Sequence, residues 1–484
     1  MSDISGPRRL LVLAICCMSL LIVSLDSTVL NVALPSMQRE LDASVSDMQW
    51  TIDAYTLVLA SLLMLAGSTA DRLGRRRIFL VGLVVFSAGS LLCSLAPGLS
   101  WLVVFRMVQA VGGSMLNPVA LSIITNTFTA PEERARAIGV WGGVAGVSMA
   151  AGPLIGGLLV QSVGWRSIFW VNVPIGALAI FLTLRYVPES RAPRPRRLDP
   201  VGQLLVITLL GSLTYAIIEA PGRGWASAEI LAFVMLALVS LAALLSYERR
   251  RTEPLIDLRF FHSAPFSGAT AVAVCAFAAL SGFLFLNTLY LQNIRGLSAL
   301  GAGLHMLPMA GMTVIFAPLS GRLVGSHGPR LPMLLAGTAM AGAGLLFAAF
   351  DAYATDVLLF TGYVLFGIGF GLVNAPITNT AVSGMPRAQA GVAAAVASTS
   401  RQVGTSLGVA VIGAVLAGGA HAAATASQFV AAGRSAWWII AGCGAAVLLL
   451  GALTTGGWAR ATAARTAALF EEERQGQPSA DARS

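Results

Sequence analysis

Lysine is absent from this sequence, so all 31 basic residues are arginine and the formal charge of +9 rests on guanidinium groups alone. Charge of either sign is scarce. Charged residues make up 11% of the 484 positions and hydrophobic ones 56%, with a mean hydropathy of +0.78, whereas soluble domains carry about 25% charged residues. That composition excludes a set of soluble domains and makes lipid the solvent. Cysteine is equally sparse: Cys16, Cys17, Cys93, Cys275 and Cys443 all lie inside apolar runs, where they read as small buried hydrophobes and not as disulfide or metal chemistry. No GxxxxGK[ST] phosphate loop occurs, which argues against a built-in ATPase. No Ser/His/Asp set or cluster of metal ligands is visible, so neither an enzyme nor a cofactor or metal site is expected. No loop is large enough for a conventional signalling domain, which disfavours a membrane sensor or scaffold.

What the sequence has in abundance is long apolar runs. Stretches able to cross a hydrocarbon core of about 30 Å fall near 10–32, 48–70, 78–96, 101–127, 136–160, 167–187, 200–220, 229–247, 266–292, 300–324, 331–350, 357–383, 390–418 and 435–458. The first is too long for a secretory signal, holds Asp26 and lacks a small-residue cleavage site, so it stays as a helix. Fourteen helices put both ends of the chain on one side of the membrane. If that side is the cytoplasm, 24 arginines lie inside and five outside (Arg39, Arg166, Arg223, Arg295, Arg434), with Arg106 and Arg401 within spans. This is the asymmetry that the positive-inside rule demands. It explains the net charge without nucleic acid, and it places both termini in the cytoplasm of a bacterial inner membrane.

The longest polar interruptions, Pro188–Pro200 and Tyr247–Ser263, bracket the seventh and eighth spans. Setting that pair aside leaves six spans on each side, the pattern of transporters built from repeated halves. The expected organisation is a six-helix half over 1–187, a linker with two additional helices over 188–262, a second six-helix half over 263–460, and a cytoplasmic tail over 461–484. In that tail, Glu471–Glu473 and the following Gln-Gly-Gln-Pro read as a charged segment of low structure. A local repeat supports the halves: Gly67 and Gly74 after the second span match Gly321 and Gly328 after the tenth, and Arg76 matches Arg330, while Gly325 stands where Asp71 does.

Several motifs carry a family resemblance. Gly67-Ser-Thr-Ala-Asp71-Arg72-Leu-Gly74-Arg75-Arg76 resembles the signature loop between helices two and three of the major facilitator superfamily. Leu25-Asp26-Ser-Thr-Val-Leu-Asn31-Val-Ala-Leu-Pro35, Trp50-Thr-Ile-Asp53-Ala-Tyr55, the stretch from Trp165 to Gly176, and Arg401-Gln402-Val-Gly404 are similar to the fourteen-helix drug:proton antiporters of that superfamily. Ser148, Gly152, Pro153, Gly156 and Gly157 resemble the glycine-proline motif of its exporters, with Ser148 where the pattern has glycine. Their spacing also makes a small-residue face for close helix contact. The resemblance covers nearly the whole chain before about residue 460. It implies an all-α major facilitator fold of two six-helix halves with two inserted helices. It also implies that Asp71 belongs to a cytoplasmic charge cluster that holds the halves closed on the inside.

A charged group at the bilayer centre costs roughly 2.5–3.5 kcal/mol on insertion scales, so each one within a span calls for a reason. At about 1.5 Å per residue, Asp26, Asp53 and Arg106 lie roughly 6–9 Å below the outer surface and Arg401 roughly 16 Å deep. One arginine near two carboxylates can hold one acid charged and leave the other free to bind a proton or a cationic substrate; the alternative is a static ion pair. Asp26 is the first candidate for proton coupling, with Asp53, Arg106, Gln109 and Arg401 around the substrate cavity. His305, by contrast, reads as an interface residue. The expected function is proton-coupled export of small lipophilic molecules by alternating access, working as a monomer with substrate, protons and lipid as its partners. The alternative is import of a metabolite by a symporter or facilitator.

Overall fold

The computed structural model describes residues 6–192, 199–251, 254–349, 354–383, 385, 390–419 and 426–476. Arg194, Arg196 and Arg197 of the linker, Arg387, and the tail beyond 476 lie outside these. Among the described residues the chain is entirely helical apart from turns and short connections. The order is α1 (Gly6–Leu41), α2 (Val45–Leu73), α3 (Arg75–Ser94), α4 (Leu99–Thr127), α5 (Pro131–Ser162), α6 (Ser167–Trp170), α7 (Asn172–Tyr186), α8 (Pro200–Arg223), α9 (Ala228–Glu248), α10 (Ala264–Leu289), α11 (Ala299–His305), α12 (Leu307–His327), α13 (Arg330–Ala348), α14 (Asp356–Val382), α15 (Ala390–Gly419), α16 (Ala426–Thr454) and α17 (Gly457–Gly476). Thirteen helical stretches among the described residues are long and apolar enough to cross a membrane, and α5, bent by 43° between Met149 and Ala151, makes a fourteenth. The bend falls four residues before Pro153, whose ring clashes with the Met149 carbonyl in a straight helix.

Helix boundaries follow local chemistry. Ser44 and Asp47 close a reciprocal cap at the start of α2, Asp47 N donating to Ser44 Oγ at 3.2 Å and Ser44 N to Asp47 Oδ2 at 2.9 Å. Gly74 and Gly328 end α2 and α12 with φ of +118° and +77°, a backbone region open to glycine at no steric cost. The repeat seen in the sequence is therefore a repeat of turn geometry.

Three expectations are corrected in detail. The tenth span is not one helix over 300–324. It breaks at Met306, and α12 restarts with Pro308 in its first turn, where the missing N–H costs nothing. The sixth span breaks at Val171 between α6 and α7. The segment through Glu471–Glu473 is helical up to Gly476, because α17 has a core anchor: Phe470 packs 5.5 Å from Phe260, and the Arg259 guanidinium lies 4.6 Å from the Phe470 ring.

One buried cluster fills the first helical group, running from Val12 to Val187 through Tyr55, Phe79 and Phe86. The other fills α10 to α16, with Phe283 stacked on Phe366 and Phe347 on Trp437, and it extends into Leu25–Met48 of α1 and α2. The two groups are joined at that end of the bundle. Gln292 Nε2 donates to Val32 O at 2.8 Å, Asn293 to Gln38, and Gln49 Nε2 to Ala410 O at 2.7 Å. Helix α8 lies along α2, held by Trp50 Nε1 donating to Glu219 Oε1 at 2.8 Å and Gln203 Nε2 to Ser61 O. Glu219 is thus a helical residue that ties α8 to α2.

Candidate functional site

Asp26 on α1 and Arg106 on α4 meet inside the first helical group. Arg106 Nη1 donates to Asp26 Oδ2 at 2.6 Å, and the two side chains are 1% and 2% exposed. The other carboxylate oxygen, Oδ1, accepts from Gln109 Nε2 at 2.9 Å and Asn172 Nδ2 at 3.1 Å. Arg106 in turn donates to Gln109 Oε1 and to the Thr51 carbonyl, and its guanidinium lies 4.2 Å from the centre of the Tyr55 ring. Ser90 Oγ, which donates to Phe169 O, accepts from both Gln109 and Asn172. A buried pair is tolerable only when its remaining lone pairs and protons are bonded, and here both oxygens of Asp26 are satisfied. Arg106 therefore serves one of the two acids and not both.

The second acid stands apart. Asp53 on α2 is fully buried, and its Oδ1 accepts a 3.3 Å bond from Thr56 of its own helix. Its Oδ2 has no hydrogen bond of good geometry, and the hydroxyl of Ser406 on the facing helix α15 adjoins the carboxyl. One turn earlier on α2, Gln49 bonds the α15 carbonyls of Val409 and Ala410. Asp53 is thus sealed in the seam between the two helical groups.

Thr28, Met149, Pro153, Leu280, Met306 and Phe370 line a small pocket drawn from both groups. None of its lining residues is charged. Behind Phe370, Phe277 makes an edge contact at 5.3 Å, and the Arg401 guanidinium lies 5.9 Å from the Phe277 ring. Arg401 Nη2 donates to Thr378 Oγ1 at 2.5 Å, and its buried Nε has no acceptor.

The signature loop is clasped by the segment leaving α7. Arg75 bonds Asp71 Oδ1 at 2.8 Å through Nη2 and at 3.0 Å through Nε. Arg75 N donates to Ser190 O, Ala192 N to Asp71 O, and Arg76 N to Glu189 Oε1. A Cβ at Gly74 would sit 2.7 Å from the Glu189 carboxyl. Arg76 also donates to Leu184 O, and Arg72 is exposed. Gly67 packs toward Pro118 of α4. Among the described residues these bonds stay within the first helical group. The α5 motif does reach across: a Cβ on Gly152 would lie 1.9 Å from Thr28 Oγ1 and one on Gly156 3.1 Å from Val29, whereas one on Gly157 would lie 2.6 Å from the Ala299 carbonyl of α11. Ser148 is buried, its hydroxyl bonded to Val144 O.

Comparison with known proteins decides the family. Residues 16–409 match the model of the Major Facilitator Superfamily. This chain belongs to that superfamily. Within it, the chain is 40% identical over 409 residues to the multidrug resistance protein Stp of Mycobacterium tuberculosis, covering 84% of this chain and 76% of that one. It is 39% identical over 402 residues to the tetracenomycin C resistance and export protein of Streptomyces glaucescens, covering 82% and 74%. The crystal structure of a bacterial homologue of the human lysosomal transporter Spinster, inward-facing and unoccupied, shares the fold with a TM-score of 0.60 at 20% identity, covering 97% and 99%. The chain is a multi-pass membrane transporter and not an enzyme.

For this major facilitator protein, the sequence predicts Asp26, Arg106 and Gln109 beside Asp53 and Arg401 in one cavity. The structure gathers the first three, separates Asp53 into the seam, and places Arg401 behind the pocket's aromatic wall. Sequence reasoning missed Asn172, Ser90 and Tyr55 around the ion pair, Ser406 beside Asp53, and Glu189 in the loop clasp. Asn172 and Tyr55 lie inside the Trp165–Gly176 and Trp50–Tyr55 motifs and so carry a signal. Ser90, Glu189 and Ser406 carried none beyond being polar.

Proposed function

We propose that this transporter exports small lipophilic molecules in exchange for protons by alternating access, with residues 1–187 and 263–460 as the rocking halves, 188–262 as the inserted linker pair, and the tail in the cytoplasm. The relatives named for multidrug resistance and for antibiotic export support the direction. The arginine asymmetry supports cytoplasmic termini, and the arrangement is then one in which the halves meet at the outer face. Asp71 with Arg72, Arg75 and Arg76, flanked by Gly67 and Gly74, forms the cytoplasmic gate in the opposite state, and the protein works as a single copy.

The observation that carries the coupling is the burial of Asp53 in the closed seam, where the Thr56 and Ser406 hydroxyls adjoin it and, among the described residues, no cation does. A buried carboxylate without a cation beside it is costly to keep charged. A proton on Asp53 lets the outer seam close, and loss of that proton to the cytoplasm accompanies the return. Asp26, saturated by Arg106, Gln109 and Asn172, is the fixed charge pair beside it. A pH difference supplies about 1.4 kcal/mol per unit and the potential about 2.3 kcal/mol per charge per 100 mV, so no chemical fuel is required. Inside-out vesicles with an acidic lumen test the reading on a panel of fluorescent lipophilic dyes. Gradient-dependent accumulation of any dye fits export, and accumulation only in right-side-out vesicles would identify an importer.

A further inference from the structure

Helix α17 starts where the last span leaves the bilayer, and the fold uses only one of its faces. Ala459, Ala463, Thr466 and Phe470 are all buried, and their spacing is that of a single helix face. This face rests on the entry to α10: Ala264 N donates to Thr462 Oγ1 at 2.9 Å, and the Phe470 ring lies 5.5 Å from Phe260. Just before it, Thr454 at the end of α16 packs on Gly268 so closely that a Cβ there would lie 2.2 Å from its hydroxyl. Contacts at Thr454, Thr462 and Phe470 thus hold α17 against the foot of α10 along its length, instead of letting it carry α16 straight on into water.

On the flank beside the buried face, Trp458, Arg465 and Leu469 share one stripe of the helix. Trp458 is 67% exposed and Leu469 47%. The stripe continues a lipid-facing one, because Leu449 and Leu453 of α16 are as open as Trp458 and precede it directly. Tryptophan at the end of a span favours the headgroup level. Between the two apolar side chains stands the exposed Arg465, whose Nε donates only to the Ala461 carbonyl of its own helix at 3.4 Å. Among the described residues no carboxylate pairs with it. A cation set between apolar anchors fits the boundary of headgroups and acyl chains. We propose that α17 lies along the membrane surface and that Arg465, flanked by Trp458 and Leu469, binds the phosphate of an anionic phospholipid. A guanidinium meets a phosphate with two parallel bonds, and the lipid's net charge favours it over a zwitterionic neighbour. Arg460, about 140° around the helix from Arg465, faces away from this stripe. The surface is independent of the coupling site and of the direction of transport.

The test places the full-length protein in phosphatidylcholine nanodiscs that carry the same minor fraction of either phosphatidylglycerol or phosphatidylcholine brominated high on the acyl chain, where bromine quenches a tryptophan it touches. The share of quenching due to Trp458 is the difference between wild type and Trp458→Phe. Brominated phosphatidylglycerol should quench that share more than brominated phosphatidylcholine, and titrating the fraction should give a preference of roughly fivefold, the effect expected of one arginine at an anionic surface. Arg465→Gln should bring the two lipids level, Arg465→Lys should keep most of the preference, and Arg460→Gln should keep all of it. Absence of Trp458 quenching by either lipid would remove α17 from the membrane surface. Equal quenching by the two lipids in wild type, a preference that survives in Arg465→Gln, or one lost equally in Arg460→Gln would each overturn the assignment to Arg465.

Discussion

Asp26 is surrounded by donors. Arg106 Nη1, Gln109 Nε2 and Asn172 Nδ2 all point at its carboxylate, so an amide at this position must aim one N–H at another. Asp26→Asn also leaves the Arg106 charge buried without its counter-ion, and removing one partner of a buried pair costs about 3–5 kcal/mol. The variant is expected to insert but to melt several degrees below wild type in detergent, and the Asp26→Asn/Arg106→Gln double variant should recover part of that loss. A single variant that melts with wild type would mean that the pair holds little of the fold together. The sequence made this pair legible through depth: two opposite charges roughly 8–9 Å below one surface, on spans one and four, had reason to meet. Which acid Arg106 would choose was not legible, because Asp53 lies at a similar depth and only the rotation of α2 turns it toward α15 instead.

Among the elements, α5 joins the two helical groups at the closed end of the bundle. Gly152 and Gly156 seat it on α1, and Gly157 brings it against the Ala299 and Leu300 backbone of α11, while a Cβ on Gly303 would lie 2.3 Å from the Pro153 carbonyl. Gly157→Val adds a branched side chain where backbone already stands, so the outer face should fail to close. Transport is expected to fall at least tenfold with normal membrane insertion, and a cysteine placed on the outer end of α11 should become more reactive to an impermeant thiol reagent. Wild-type transport in Gly157→Val would contradict this role for the motif. The spacing of small residues announced a close helix contact, but not that two of its glycines face α1 and a third faces the other half. The same limit explains α17: its alanine-rich, weakly apolar sequence gives no spanning signal, and the contact that orders it, Phe470 on Phe260, joins residues 210 positions apart.

For the whole molecule, hydropathy was enough to find the spans because each must satisfy its backbone inside lipid. What hydropathy leaves open is which ends meet. The arginine asymmetry addresses this through orientation, and it predicts that a single cysteine at Arg75 is unreactive to an impermeant maleimide in intact cells and reactive after permeabilisation. Strong labelling of intact cells would invert the molecule and put the closed seam on the cytoplasmic side. The central claim, that Asp53 carries the coupled proton, is tested most directly by substrate-induced proton release from purified protein in weakly buffered detergent, with a dye that accumulates in the vesicle assay as substrate. Wild type should release protons on adding the dye, Asp53→Asn should bind the dye and release none, and Asp26→Asn, where it remains folded, should still release them. Proton release from Asp53→Asn equal to that of wild type would contradict the account.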